Sequence, residues 1–271
     1  PWKCCFGRRY GLSSVTRLSA FISALTTLVL APTAIASPLG QSGQLLVVIS
    51  DGWDAQTGTL TRWERQSHSS RWSPVGAPLP VWLGRAGLAW RTDPTAPSPP
   101  TTGPLKREGD GRAPAGLMSL SEMWGYDGHA PEGVTLAYHQ ATELDRCVDD
   151  VDSPLYNQLV KQTSPPTWRS AEQLRLSTDH YKYLVVIGYN RGPVRPGAGS
   201  CIFLHVAPPP QGPTAGCTAL AEADLLTLLR WLVPTKQPLL LQLPRPLLRT
   251  AVSKWQLPRE LLRVPANARH R

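Results

Sequence analysis

From Gln44 the chain sets a continuous apolar run, "QLLVVIS", before a second stretch, "TGTLTRWER", in which Leu60, Arg62 and Glu64 alternate with Thr61, Trp63 and Arg65. The dipeptide Asp51-Gly52 lies between them. Alternation with period two around a turn dipeptide predicts a β-hairpin. "RWSPVGAPLPVWLGRAGLAW" continues the extended pattern, but its prolines lack the N–H that a central strand needs, so it predicts edge strands and turns. The first third therefore reads as a β-meander. Further on, "KREGDGRAPAGLMSL" is a glycine-rich turn feeding a strand, and "KYLVVIGYN", "SCIFLHV" and "PLLLQLP" are apolar runs that predict buried central strands. One stretch changes to helical period: in "ALAEADLLTLLRWL", Leu225, Leu228, Leu229 and Leu232 share a face. Glu222 and Asp224 in its first turn and Arg230 in its last suit the helix dipole, and the helix is expected to begin directly behind Cys217. "SAEQLRL" predicts a second, short helix, "CVDDVDSPLYN" a polar loop, and the Arg- and Pro-rich tail after Pro244 a peripheral segment.

The expected fold is thus mainly β with a few short helices. Residues 93–104, "DPTAPSPPTTGP", carry five prolines and too few large apolar groups to pack. They read as a loop insertion within one domain over 37–271, because the segment before them holds too few strands to enclose a core. A high content of proline, glycine and tryptophan (28, 22 and 10 residues) with only 17% charged residues agrees with a turn-rich β protein.

Residues 1–36 look different. Lys3, Arg8, Arg9 and Arg17 precede "LSAFISALTTLVLAPTA", and Ala34-Ile35-Ala36 ends the stretch before Ser37. This is the layout of a cleavable export signal. Interruption by Ser19, Ser23, Thr26, Thr27 and Pro32 argues against a permanent membrane span. The arginine pair leaves the twin-arginine and general export routes both open. Cleavage after Ala36 would remove four basic residues and no acidic one, so 24 basic residues would face 19 acidic ones and the net charge would fall from +9 to +5. No Lys/Arg run interleaved with aromatics remains, so nucleic acid is not an expected partner, whereas an anionic polymer such as a cell wall is compatible. The six histidines show no metal-ligand spacing, and Asp149, Asp150 and Asp152 lack the spacing and closing glutamate of a calcium loop, so no metal or other cofactor is expected.

Chemistry concentrates in "GSCIFLHVAPPPQGPTAGCTAL". A cysteine nucleophile must ionise, and a histidine at the end of a neighbouring strand is a fitting proton acceptor. His205 and Cys217 stand in that relation, with Gly216 permitting close backbone approach. The competing reading makes His205 a strand cap and Cys217 a small buried residue, as free cysteines often are. Of the five cysteines, Cys4 and Cys5 would leave with the signal. A bridge between Cys147 and Cys201 would leave Cys217 free, though spacing does not establish that pairing.

The stretch "IFLH…PTAGCTAL" resembles the signature of the L,D-transpeptidase (YkuD-like) catalytic domain, a strand-end histidine followed by Ser/Thr-x-Gly-Cys, here Thr214-Ala215-Gly216-Cys217. "EGDGRAPAGLMSL" resembles that family's glycine-rich turn, and the likeness spans roughly residues 44 to 244. It implies a β-sandwich in which Cys217 is the nucleophile, His205 its base, and Val206 the provider of a carbonyl that orients the imidazole. The backbone N–H groups of Cys217 and Gly216 would form an oxyanion hole. Many members carry a histidine before the glycine and an arginine or asparagine shortly after the cysteine; this chain has Ala215 and Thr218-Ala219. Thr214, Thr218 and Arg112 are therefore the candidates for substrate contact.

The resemblance implies an exported enzyme acting on peptidoglycan stem peptides through a thioester, with carbapenems as acylating inhibitors. An amine acceptor would make it a transpeptidase and water an L,D-carboxypeptidase. A non-catalytic wall-binding protein and a cysteine peptidase or amidase on other substrates are the competing classes.

Overall fold

The computed structural model describes residues 39–67, 69–95, 102–162, 165–255 and 257–264. The expected export signal and residues 96–101 of the proline-rich segment lie outside the described residues. As expected, the domain is mainly β. The hairpin forms from β1 (Gln44–Ser50) and β2 (Thr57–Glu64), paired antiparallel from Gln44 opposite Glu64 to Ile49 opposite Thr59. Every residue of β1 is buried, because β13 (Leu239–Pro244) runs parallel along its other edge. An uninterrupted apolar run fits such a doubly covered strand, where alternation would put polar groups in a core.

The meander continues into β3 (Ser73–Trp82), whose prolines are tolerated because its far edge makes one pair only, Trp82 with Ala219 of β12 (Thr218–Leu220). The other edge of β13 pairs with β5 (Ala113–Gly125), flanked by β4 (Leu88–Trp90) and β6 (Ala137–Gln140). A two-layer sandwich is not what the pairing produces. At thirteen residues β5 is long enough to serve two partners: Gly116–Ser119 pair with β13, whereas Leu120–Gly125 pair with β10 (Tyr183–Ile187). β10 continues through β11 (Phe203–Val206) to β12 and β3, so the sheet closes into a barrel-like circuit.

A separate three-stranded sheet is made of β7 (Asp145–Val148), β8 (Leu159–Lys161) and β9 (Ala171–Gln173). Here "SAEQLRL" is a strand, not the expected helix: Ala171, Glu172 and Gln173 pair with β7. The loop after β7 is held by ion pairs from Arg169 to Asp150 and Asp152. The predicted amphipathic helix is present as α1 (Glu222–Trp231) with Leu225, Leu228 and Leu229 buried, but β12 intervenes between Cys217 and its first turn. The C-terminal tail is not peripheral either. It forms α2 (Arg245–Lys254), whose Leu248, Ala251 and Val252 join the main core with Leu257 and Leu261.

The strands β10, β11 and β12 are buried on both faces. Val185, Ile187, Leu204, Val206 and Leu220 enter the main core. Leu184, Val186, Phe203 and Cys217 enter a second cluster, with Cys147, Leu174 and Tyr181 from the segment that carries the small sheet. Each large apolar side chain so buried is worth about 1.5–3 kcal/mol. Among the described residues no helix is long and apolar enough to cross a membrane.

Candidate active site

The site is built by two short parallel strands in register. Leu204 lies opposite Thr218 and His205 opposite Ala219, which sets Cys217 one step before that pair on the neighbouring strand. With period two, Phe203, His205, Cys217 and Ala219 share the face that looks toward the small sheet. Cys217 and His205 are 7% and 5% exposed, yet both line one pocket of about 590 Å³. The structure therefore brings the two expected catalytic side chains to a common space.

The imidazole is fixed from behind. His205 Nδ1 lies 2.8 Å from the Val206 carbonyl, which only accepts, an arrangement that favours the tautomer with its proton on Nδ1 and the lone pair on Nε2. The ring of Tyr181 stands edge-on at 5.2 Å, and the Tyr181 hydroxyl donates to the Glu172 carboxylate. Burial pushes the His205 pKa down to about 4, against the partial support of the Val206 carbonyl. The thiol is fixed as firmly: Cys217 Sγ accepts the Phe203 N–H at 3.3 Å and donates to the Cys201 carbonyl at 3.4 Å. Burial, then the charge of Glu172, raises its pKa well above the ordinary thiol range. Both shifts favour a neutral thiol and a neutral imidazole, and no thiol–imidazole hydrogen bond joins them among the described residues.

The turn before the cysteine is specified by sequence. Gly216 has φ +155°, and a Cβ there would lie 3.1 Å from the Arg112 carbonyl, so a larger residue would strain backbone and packing alike. Thr214 Oγ1 accepts the Gly216 N–H at 3.1 Å and donates to the Cys217 carbonyl at 2.7 Å. Thr214 does line the pocket, but its hydroxyl is committed to holding the turn. The same bond engages the Gly216 N–H expected in the oxyanion hole.

The other two expected contacts are placed elsewhere. Thr218 is fully buried, and its hydroxyl donates to Gln242 Oε1 at 2.6 Å, while Gln242 Nε2 donates to the Pro114 carbonyl at 2.9 Å. Arg112 spends its guanidinium on the carbonyls of Trp53 and Leu88 and on Asp54 at 2.7 Å. Neither side chain lines the pocket. Charged groups that do line it were not expected there from the sequence: Arg85, Lys106, Glu108, Asp149 and Glu172. Burial raises the Glu172 carboxyl to about 7. Asp149 Oδ1 is buried with no hydrogen-bond partner.

Cys147 and Cys201 are disulfide-bonded, which ties β7 to the segment leading into β11 and leaves Cys217 as the free cysteine among the described residues. No group of three or more His, Cys, Asp or Glu among the described residues is arranged to hold a metal. Compared with protein-family models, curated proteins and solved structures, the chain gives no match.

Proposed function

We propose that the chain is an exported L,D-transpeptidase-like enzyme that acts on peptidoglycan stem peptides through a thioester on Cys217, with the YkuD-like catalytic fold. The observation that carries the reading is the convergence of Cys217 and the carbonyl-anchored His205 on one pocket. In the proposed reaction His205 Nε2 takes the Cys217 proton as sulfur attacks the carbonyl of an L-centre. The tetrahedral oxyanion faces the N–H of Cys217, and collapse expels the terminal residue as an amine, which receives the proton from His205. A thioester remains. An amine of a second stem peptide resolves it as a cross-link, and water resolves it as carboxypeptidase action.

The depressed His205 and raised Cys217 fit a resting enzyme whose ion pair forms only when substrate displaces the thiol from the Cys201 carbonyl. The same two observations favour a second reading, a wall-binding protein with an inert buried thiol. Intact-mass spectrometry with meropenem separates them. One adduct with the mass of the whole drug is expected on the wild type and none on Cys217→Ala, because β-lactam opening loses no atoms. Equal adduct on both proteins would remove Cys217 from the nucleophile role, and no adduct on folded wild type would favour the wall-binding reading.

A further inference from the structure

The pocket has two basic side chains besides its histidines, Arg85 and Lys106. Lys106 is consumed. Its ammonium donates to Asp110 at 2.6 Å and to the Arg107 carbonyl at 2.7 Å, and the residue is buried. Arg85 is exposed, and its guanidinium has no hydrogen bond or ion pair with any described residue, whereas Arg112 nearby has three acceptors.

Although its charge is unspent, the position of Arg85 is tightly held. Its N–H donates to the Thr214 carbonyl at 2.8 Å, its carbonyl accepts Gln56 Nε2 at 2.7 Å, and the next N–H, of Ala86, donates to the Gly111 carbonyl at 2.9 Å. Gly84 is bridged to Thr214, and it must be glycine because a Cβ would fall 2.3 Å from the Gly111 carbonyl oxygen. The side chain lies along Gly111, where a Cβ would come within 3.1 Å of the Arg85 Cγ, Nε and Cζ. Arg85 is thus fastened to the turn that ends in Cys217.

A guanidinium is a planar fork that binds carboxylates in bidentate fashion, and one left unpaired beside a nucleophile selects for an anionic group on the ligand. No hydrogen bond or ion pair joins it to the carboxylates of the pocket, Glu108, Asp149 and Glu172. We infer that Arg85 anchors a carboxylate of the acyl donor, placing the bond to be cleaved next to a free C-terminus. This rests on the acyl-transfer reading for the identity of the ligand, and it gives Arg85 the role that the chain's sequence suggested for Arg112.

The test uses alkyl methanethiosulfonates, which transfer a thioalkyl group to a thiol and release sulfinate. Neutral methyl and anionic sulfonatoethyl reagents are compared by their rates on the peptide carrying Cys217, so that Cys4 and Cys5 do not contribute. In Arg85→Gln the ratio of anionic to neutral rate is expected to fall about five- to tenfold at low salt. The neutral rate should be unchanged, and Arg85→Lys should keep most of the ratio. A ratio unaltered by Arg85→Gln overturns the anchor. Meropenem acylation is followed on the same proteins: a wild type that is not acylated overturns the acyl donor, while the charge ratio still decides whether Arg85 attracts an anion.

Discussion

The two faces of β11 teach different lessons from adjacent residues. Leu204 and Val206 point into the main core, where apolarity and volume are all that is required. Phe203 and His205 point the other way, toward Tyr181, Glu172 and the thiol of Cys217, where burial pushes Tyr181, Glu172, His205 and Cys217 toward their neutral forms. One strand therefore contributes stability on one face and chemistry on the other. Changes on the two faces should separate these properties.

The largest expected effect lies in the link between the faces. The Cys147–Cys201 bridge closes a loop with a sequence separation of 54 residues. Loop-closure entropy puts its removal at about 4 kcal/mol. Cys147→Ala with Cys201→Ala should lower the urea midpoint accordingly, keep the barrel's far-ultraviolet dichroism, and speed modification of Cys217 by a neutral reagent as the small sheet loosens. Unchanged modification would mean that the small sheet is seated without the bridge.

Next in size is the contrast within β11. Leu204→Ala empties a fully buried site and should cost about 3 kcal/mol in urea denaturation, with meropenem acylation retained at temperatures where the protein is folded. His205→Gln should cost about 1 kcal/mol and abolish acylation. If the two variants lose stability equally, the division between faces fails.

Much of the main core was legible in the sequence. The hairpin of β1 and β2, the strands β10, β11 and β13, and the buried face of α1 follow from apolar runs long enough to have one period. Short elements were not legible. Three residues, Thr218–Leu220, suit a helix as well as a strand, and it is the ladder to β11 that decides. In "SAEQLRL" the strand is also three residues, and its pairing with β7 depends on a partner more than twenty residues away. Closure of the sheet had no local signal, because it rests on β5 changing partners along its length.

The site was legible in the same uneven way. Cys217, His205 and the Val206 carbonyl were found because they belong to one contiguous motif. Arg85 was missed because only the Gly84–Thr214 bridge brings it there, from about 130 residues away; its flanks, Gly84 and Gly87, were the available sign of close backbone approach. Arg112 was chosen for its place beside a glycine-rich turn, but only its main chain faces Gly216. Three carbonyl and carboxylate acceptors on the other side take its guanidinium.

The smallest effect is a pH dependence in which the chemical face opposes itself. Glu172 is packed among Tyr181, Asp149, Glu108 and Cys217, and its carboxyl is raised from 4.5 to about 7 by burial first and then by the charges of Asp149 and Glu108, against the hydrogen bond from Tyr181. The folded state then binds more protons than the unfolded state between those values, so its contribution to stability is present below pH 4.5 and is lost as pH rises through 7. His205 is lowered from 6.5 to about 4, so its contribution is present above pH 6.5 and is lost as pH falls through 4. In the overlap of the two windows the slopes have opposite sign and offset each other. Glu172→Gln removes one of them. Its stability relative to wild type should therefore grow from pH 5 to pH 8 by about 2 kcal/mol, less than the full shift implies because Glu172 is partly exposed to the pocket. Taken alone, the variant should gain stability steadily from pH 4 to 6.5, the slope left by His205. Urea titrations across this range measure both, and a variant whose difference from wild type is independent of pH would show that Glu172 is already ionised at pH 5.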